Sequence, residues 1–394
     1  MSTPDGSVRR AALPVLLALS TGHLINDLLQ SILPALYPML KSNFGLDFWQ
    51  IGMITFTNQV TSSMLQPFVG LYTDKRPHPY SLPIGMTFTL GGLILLATAG
   101  AYPALLVAAA LVGVGSSIFH PESSRIARLA SGGRHGFAQS LFQTGGNFGT
   151  SLGPLMAALI ILPAGQGAVG WFSLVALAGI ALLWRVSRWY WHKGRVLQRA
   201  NTNVSTQPGL PRRRVTILLG ILLTLVFSKY VYVSSFVSYF MFFLIERFGI
   251  SQAQAQYHLF AFLGAVAAGT FIGGPVGDRF GRKPVILASI VGILPLSVAL
   301  PYLPLFWTTV LSVLIGLILS SAFSAILVYA QELVPSRVGL VSGLFFGFAF
   351  GVAGTGAAVL GWAADAVGIV TVFRWCAWLP ALGLVALALP HVRR

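Results

Sequence analysis

The chain has 394 residues, of which 55% are hydrophobic and only 9% are charged. An ordinary soluble domain carries about 25% charged residues, so this composition excludes a soluble enzyme, a disordered chain and a secreted disulfide scaffold. Cys376 is the single cysteine, which removes structural disulfides, and we expect it to serve in packing. Apolar runs of about 20 residues between short polar breaks predict an integral membrane protein built of helices.

Taken in chain order, twelve apolar runs are long enough to cross a bilayer, which predicts an all-α integral membrane protein with twelve transmembrane helices. The predicted spans are 11–40, 48–74, 81–100, 103–128, 136–163, 168–191, 215–247, 252–278, 284–302, 304–331, 338–364 and 368–390. The longest polar break, 192–214, predicts a flexible linker. It separates an N-terminal six-helix bundle, 1–191, from a C-terminal six-helix bundle, 215–394.

The formal net charge of +16 could indicate nucleic-acid binding, so the positions of the 25 Lys and Arg residues decide its meaning. All but four lie at the termini or in alternate connections between the apolar runs; the exceptions are Lys41, Lys229, Arg247 and Arg374. This asymmetry follows the positive-inside rule and predicts that both termini are cytoplasmic. Because no basic face is interleaved with aromatic residues, we expect no nucleic-acid partner.

Three short patterns recur along the chain at a common offset of 204 residues. Phe44-Gly45-Leu46 returns as Phe248-Gly249-Ile250, Gly70 with Asp74 returns as Gly274 with Asp278, and Ser116-Ser117-Ile118-Phe119 returns as Ser320-Ser321-Ala322-Phe323. Three matches in register indicate a duplicated six-helix unit, whose even helix number gives both copies the same orientation. A pseudo-twofold axis along the membrane normal and a central cavity are therefore expected.

Two motifs resemble those of the major facilitator superfamily. Gly274-Pro275-Val276-Gly277-Asp278-Arg279-Phe280-Gly281-Arg282-Lys283 matches the loop signature that reads roughly G-x-L-x-D-R-x-G-R-K, and its first-half copy, from Gly70 to Pro77, is degenerate beyond Lys75. Gly145, Gly149, Gly153 and Pro154 resemble the G-x-x-x-G-P motif of the superfamily's antiporters. The resemblance implies alternating access and favours exchange over uptake. It also implies gating roles for Asp74, Asp278, Arg279, Arg282, Gly149, Gly153 and Pro154.

Four further segments resemble the fosmidomycin-resistance transporters, most densely over roughly residues 20–160. They are His23-x-x-Asn26-Asp27, Gln66-Pro67, Phe119-His120-Pro121-Glu122 and Gln139-Ser140-Leu141-Phe142-Gln143-x-Gly145-Gly146-Asn147. This resemblance implies a proton-coupled drug exporter of the bacterial inner membrane whose substrate is an anionic phosphonate antibiotic. The fourth helix has no Arg in its first half, where many superfamily antiporters have one, so proton coupling must rest on other groups.

Asp27 lies about sixteen residues into the first predicted helix, near mid-membrane, where a carboxylate costs about 2.5 to 3.5 kcal/mol on insertion scales. His23, Asn26, Asp27 and Gln30 follow the spacing i, i+3, i+4, i+7 and share one helical face. Because burial disfavours a charged carboxylate, Asp27 could exchange a proton; the alternative is a structural pair that orients two helices. We predict proton coupling for Asp27 and His23 and substrate contact for Asn26 and Gln30.

Lys229 lies about fourteen residues into the seventh predicted helix and, by the 204 offset, at nearly the depth of Asp27. The two charges could share one cavity or be structural partners. An ammonium binds phosphonate-like groups well, so we predict that Lys229 and neighbouring Tyr232 contact the substrate. Protonation of Asp27 would then free Lys229 for an anion, which is the logic of the alternative function, proton-coupled uptake of a small organic anion.

His120 and Glu122 flank Pro121 in the fourth predicted helix, and we predict a proton role for both and substrate contact for His120. The alternative for Glu122 is an i, i+3 ion pair with Arg125. Uncharged polar stripes in the second and fifth predicted helices could contact substrate or hold helices together. Their candidate residues are Gln59, Gln66, Gln143 and Asn147.

Motifs of known catalytic folds are missing from the sequence: it has no P-loop, no H-E-x-x-H and no nucleophile elbow. We therefore expect a transporter and not an enzyme, without cofactor or metal, and keep a membrane-embedded enzyme or receptor as a remote alternative. The expected partners of the transporter are a small-molecule drug, protons and the lipid bilayer, and a monomer is sufficient for transport.

Overall fold

The computed structural model describes residues 12–46, 48–194, 211–250 and 252–390, and in these residues each predicted span is helical. The first six helices are α1 (Leu13–Ala35), α2 (Phe48–Lys75), α3 (Ser81–Thr98), α4 (Tyr102–Ala130), α5 (His135–Met156) and α6 (Phe172–Trp189). The second six are α7 (Arg212–Phe248), α8 (Gln252–Phe280), α9 (Arg282–Ile290), α10 (Leu305–Leu333), α11 (Val338–Val367) and α12 (Ile369–Cys376). The predicted fold of twelve helices is thereby confirmed.

Shorter helical segments extend several of these spans. A helix over Tyr37–Phe44 follows α1, π-helical turns at Ala157–Ile161 and Tyr190–Gly194 follow α5 and α6, and a 3₁₀ turn at Gln166–Trp171 leads into α6. Leu294–Ala299 and Leu300–Tyr302 continue α9, and Leu379–Ala388 continues α12. Together these segments bring α9 and α12 to the length that a membrane span requires.

Polarity is unevenly distributed among the helices. Nine of the spans in the described residues are apolar enough to qualify as membrane crossings by composition, and α1, α2 and α5 are not among them. These three have 23, 28 and 22 residues, which corresponds to about 33 Å or more of helix, so they are long enough to cross. They are polar because they carry most of the candidate site residues of the first half.

The described chain divides into two compact units. The first unit comprises α1–α6 together with Val334–Gly347, which includes the start of α11. Within it α1 packs against α5, and α2 and α3 pack against α4. The second unit comprises α7–α10, α11 from Phe348 onwards and α12, with α8 packed against α10. Of the predicted linker, residues 195–210 lie outside the described part, so its boundaries stay a prediction.

The duplication seen in the sequence has a structural counterpart at two helix ends. Gly45 and Gly249, which are 204 positions apart, have φ angles of 60° and 64°. An L side chain rarely adopts this left-handed conformation, which glycine tolerates, so each Phe-Gly pair ends a helical segment in the same way. The repeated pattern therefore marks repeated backbone geometry.

Candidate functional site

A buried ionisable cluster in the first unit brings α1 and α4 together. The Nε2 atom of His23 lies 3.2 Å from Oδ2 of Asp27, and Nε2 of His120 lies 3.5 Å from Oδ1 of the same carboxylate. The two histidine side chains are 3% and 1% exposed and that of Asp27 is 16% exposed. The helical face predicted for α1 therefore meets a histidine that lies 93 residues further along the chain.

The hydrogen bond on the far side of His23 determines where its hydrogen lies. Nδ1 is 2.8 Å from the carbonyl oxygen of Phe142 in α5, and a carbonyl only accepts, so Nδ1 carries a hydrogen and donates it. In the neutral ring Nε2 would then present a lone pair to the Asp27 carboxylate, which also only accepts. One extra proton, on Nε2 or on Asp27 Oδ2, turns this repulsion into a hydrogen bond.

His120 has a less restrictive environment. Its Nδ1 lies 3.0 Å from the carbonyl oxygen and 3.2 Å from Oγ of Ser116, one turn earlier on α4. Nδ1 can donate to the carbonyl or accept from the hydroxyl, so either nitrogen can carry the ring hydrogen. A neutral His120 can thus present a hydrogen on Nε2 towards Asp27, 3.5 Å away, which the geometry of His23 does not allow.

Aromatic rings enclose the two imidazoles. The His23 ring stacks on Phe142 with centroids 4.0 Å apart, and the Phe119 ring is 5.6 Å away. Phe346, from the part of α11 that belongs to the first unit, lies 5.2 Å from the His120 ring. These rings help to bury the two imidazoles within the first unit.

Two amide side chains on α1 orient the carboxylate. Asn26 Nδ2 and Gln30 Nε2 donate to Asp27 Oδ1 at 3.0 Å and 3.3 Å. The nitrogens of the two histidines and the Asp27 carboxylate lie within 4.8 Å of one another, a spacing that could hold a metal ion. Hydrogen donors already converge on Oδ1, however, and a cation would have to displace them. The donor set suits a proton better than a metal.

A glycine that the sequence analysis did not single out allows α5 to approach the cluster. A Cβ placed on Gly146 would lie 2.7 Å from Asp27 Oδ2 and would overlap the His23 ring. The predicted gating glycines also face α1: a Cβ on Gly149 would overlap the carbonyl of Leu24, and one on Gly153 would overlap Ser31. These contacts show close helix packing. Pro154 lies in α5, but its side chain is outside the described part of the structure.

Glu122 has the ion pair that was the alternative to a proton role. Its carboxylate accepts from Nε and Nη2 of Arg125 at 3.0 Å and 2.7 Å and from Ser81 Oγ at 3.1 Å. Arg125 also donates to the Tyr190 hydroxyl at 2.9 Å. This buried network ties α4 to the start of α3 and the end of α6, connections that the sequence did not reveal.

The uncharged candidates differ in their surroundings. Gln66 in α2 is fully buried, and both its amide atoms lack a hydrogen-bond partner among the described residues. Gln143 in α5 is also buried, and its Oε1 is without a partner in the same part of the chain. Gln59 and Asn147 are half-buried. Gln66 and Gln143 thus have amide atoms that could form hydrogen bonds with a ligand or water.

Lys229 is a buried cation of the second unit. Its side chain lies near Ser320, whose carbonyl oxygen accepts from Nζ at 3.4 Å, and Nζ is 5.4 Å from the ring centroids of Tyr230 and Phe323. The residue is 7% exposed, and no carboxylate in the described residues forms an ion pair with it. Tyr232 is buried against Phe236, with ring centroids 5.3 Å apart. An ammonium in this setting is suited to an anion.

The two copies of the loop motif differ in what their aspartates bind. In the first unit, Asp74 accepts the backbone N–H groups of Gly339 and Leu340 at 2.9 Å and 2.8 Å, at the start of α11. The positive end of a helix favours such an anion. In the second unit Arg282 forms ion pairs with Asp278 at 2.7 Å and with Glu332 at 3.3 Å, and the sequence analysis does not predict the pair with Glu332. Arg279 is exposed beside Phe280.

Comparison with known proteins identifies the family. A family model described as Major Facilitator Superfamily matches residues 19–355 and again residues 225–393. The chain is 59% identical over 384 residues to the fosmidomycin resistance protein of Escherichia coli K12, covering 98% of this chain and 94% of that protein. It is 42% identical over 380 residues to an uncharacterized MFS-type transporter, YfnC, of Bacillus subtilis, covering 96% and 93% of the two chains.

A solved structure agrees at the level of the fold. The human organic anion transporter MFSD10 superposes with a TM-score of 0.75 at 17% identity, over 95% of this chain and 99% of that one. A likeness at this identity concerns the fold alone. It agrees with the predicted architecture, and the family match over most of the sequence, with the 59% identical relative, confirms the prediction of a transporter rather than an enzyme. The chain is therefore a multi-pass membrane protein that belongs to the major facilitator superfamily.

Proposed function

We propose that this protein exports small drugs, of the fosmidomycin type of anionic phosphonate, in exchange for protons by alternating access. The substrate class is supported by 59% identity over nearly the whole chain to a protein named for fosmidomycin resistance. The proposed setting is a bacterial inner membrane, with both termini cytoplasmic and a monomer as the working unit. Cysteine accessibility of the 192–214 segment from the cytoplasmic side tests that orientation.

The observation that carries the proton-coupling proposal is the arrangement of His23 between Phe142 and Asp27. The pair holds together only with one proton beyond neutral histidine and ionised aspartate, because otherwise two acceptors face each other at 3.2 Å. His23 donates to the backbone of α5, and Asp27 contacts His120 of α4. Losing the proton would set two acceptors against each other, so His23 or Asp27 would have to move and would disturb its contact with α5 or α4, which links proton occupancy to helix packing.

Lys229 supports an anionic substrate. Transferring an ammonium into the membrane interior is costly, and among the described residues of its own unit Lys229 contacts a carbonyl and two aromatic rings but forms no ion pair with a carboxylate. A phosphonate would supply the missing counter-charge through a charge-assisted hydrogen bond. Asn26, Gln30, Gln59, Gln66, Gln143, Asn147, His120 and Tyr232 are proposed to complete the substrate contacts.

Export is also favoured by the charges that move. In a cell that is negative inside, an anion that leaves and a proton that enters each gain about 2.3 kcal/mol per 100 mV. The uptake alternative required Asp27 protonation to free Lys229. Asp27 lies 3.2 Å from His23 and 3.5 Å from His120, which supports a proton site formed by residues of the first unit.

We propose a gating role for the aspartates in the two copies of the loop motif. Asp74 binds the first turn of α11, and Asp278 binds Arg282, which reaches Glu332. Arg279, Gly149, Gly153 and Pro154 join this proposal through the family resemblance alone. Glu122 remains a weaker proton-coupling candidate, because Arg125 occupies both of its oxygens.

The proposal is tested in sealed liposomes with an imposed pH gradient and a radiolabelled phosphonate. The wild-type protein is expected to drive the drug towards the acidic side, whereas a symporter would move it away from that side. Asp27→Asn should abolish pH-driven flux while retaining drug binding, and Glu246→Gln, at an exposed carboxylate at the end of α7, is the matched control. Normal pH-driven flux in Asp27→Asn would remove Asp27 from the coupling role.

A further inference from the structure

An aromatic surface lies at the end of α6 that the charge distribution predicts to be cytoplasmic. Trp184 and Trp191 are 51% and 44% exposed. The ring of Tyr80, just before α3, lies 4.7 Å from the Trp184 ring and 6.4 Å from the Trp191 ring. One tyrosine in contact with both tryptophans places all three rings on the same side of the first unit.

The length of the helical span from Trp171 to Trp191 places Trp191 at the membrane surface. Trp171, exposed at the other end of the span, precedes Trp191 by twenty residues, or about 30 Å of helix. This length equals the thickness of the hydrocarbon core, so Trp171 and Trp191 mark opposite interfaces of the membrane. Indole and phenol groups favour that depth because one edge is apolar and the other can form hydrogen bonds.

Two arginines lie among the rings. Arg185 and Arg188 are exposed and are three residues apart on α6, so their side chains leave the helix close together. Arg188 is also one turn from Trp184. Neither arginine has an ion pair with a carboxylate in the described part of the chain. Two guanidinium groups with free donors form a site that matches the oxygens of a phosphate.

An apolar stripe leads from the rings towards the membrane interior. Tyr80, Ile84 and Phe88 are spaced by four residues, and the side chains of Ile84 and Phe88 are exposed. Leu177, two turns before Trp184, is exposed on α6, which packs against α3. A continuous apolar stripe that begins at a cationic aromatic cluster has the polarity profile of a phospholipid.

We propose that Tyr80, Trp184, Arg185, Arg188 and Trp191 form a binding site for the headgroup of an anionic phospholipid, with an acyl chain along Ile84 and Phe88. The phosphodiester would pair with the two arginines while the rings hold the glycerol region at the interface. Charge complementarity favours an anionic over a zwitterionic lipid, because a zwitterionic headgroup adds a positive charge beside the phosphodiester that the two arginines would repel. This site is separate from the transport site and does not depend on the proposed substrate.

Brominated lipids test the site locally, because bromine on an acyl chain quenches tryptophan fluorescence over a short distance. Purified protein is titrated with brominated phosphatidylglycerol or brominated phosphatidylcholine. The local signal is the quenching that is lost in Trp184→Phe/Trp191→Phe. The test variant is Arg185→Gln/Arg188→Gln, and the control is Arg212→Gln/Arg213→Gln, an exposed pair at the start of α7. Circular dichroism verifies that each variant is folded.

The wild-type and control proteins are expected to prefer phosphatidylglycerol by about 30-fold at low salt, equivalent to about 1 kcal/mol for each arginine. The test variant should bind both lipids alike. Equal binding of the two lipids by the wild type, or an unchanged preference in the test variant, would overturn the proposal. Displacement of phosphatidylglycerol by soluble glycerol phosphate would assign the arginines to a soluble anion and would also overturn it.

Discussion

Gly146→Ala is expected to impair proton coupling while leaving the fold intact. The added Cβ would lie 2.7 Å from Asp27 Oδ2, and ordinary van der Waals contact begins at 3.4 Å. The carboxylate must therefore retreat by about 0.7 Å and the His23 ring by more, since Cβ would overlap it. Both groups are ends of side chains, so they can move without moving the helices, but their 3.2 Å contact is lost.

The expected size of the effect follows from the cost of overpacking. Inserting a methyl group into a tightly packed site costs about 1 to 3 kcal/mol, which corresponds to a factor of about 5 to 150 in an equilibrium constant. Because the methyl group displaces the protonated pair, we expect this factor to appear in proton affinity and in pH-driven flux. The thermal midpoint should fall by only a few degrees.

Two glycines provide the controls for this experiment. A Cβ on Gly91 in α3 meets nothing within 4 Å, so Gly91→Ala should behave as wild type. A Cβ on Gly145 would overlap the backbone carbonyl of Ser20, so Gly145→Ala should reduce folded yield by separating α1 from α5. If folded Gly146→Ala shows wild-type pH-driven flux in liposomes, the close contact between α5 and the His23–Asp27 pair has no part in coupling.

Three further predictions follow from single contacts. Arg125→Leu leaves the buried carboxylate of Glu122 without its ion pair and should lower the free energy of unfolding by about 3 to 5 kcal/mol. The thermal midpoint should fall accordingly and be largely restored in Glu122→Leu/Arg125→Leu; an unchanged midpoint would contradict this. Lys229→Met should weaken binding of an anionic phosphonate at least about tenfold in a titration but leave a neutral drug unaffected, and equal losses would argue against an anion contact. Asp74→Ala removes the carboxylate that accepts from two backbone N–H groups in the first turn of α11, so hydrogen exchange of these amides should speed up by about tenfold or more; unchanged exchange would refute this role.

The helices and one face of the site could be predicted because their signals are local. Long apolar runs define the spans, and the spacing from His23 to Asp27 is one helical turn, so their contact needs no tertiary information. The ion pair of Glu122 with Arg125 is predictable for the same reason, and it was recognised as the alternative for that residue. Contacts within one helix are encoded by sequence spacing alone.

Contacts between helices depend on packing, which spacing does not encode. His120 joins Asp27 from another helix, and the carbonyl of Phe142 belongs to the backbone, which carries no residue-specific signal. Gly146 adjoins Gly145, but it lies outside the four-residue spacing of Gly145, Gly149 and Gly153 that forms the antiporter-like motif. Its neighbours in space, not its place in a motif, give it importance.

The duplicated unit explains how one ancestral arrangement could come to hold two different charges. In the first unit the carbonyl of Ser116 lies beside His120, and in the second unit the carbonyl of Ser320, 204 positions later, accepts from Lys229. The same turn of the fourth helix of each repeat is therefore next to the buried ionisable group. The first unit surrounds its carboxylate with hydrogen donors, whereas the ammonium of the second unit has no carboxylate partner among the described residues. The proposed exchange of a proton for an anionic drug would make use of such a division of charge between the two repeats.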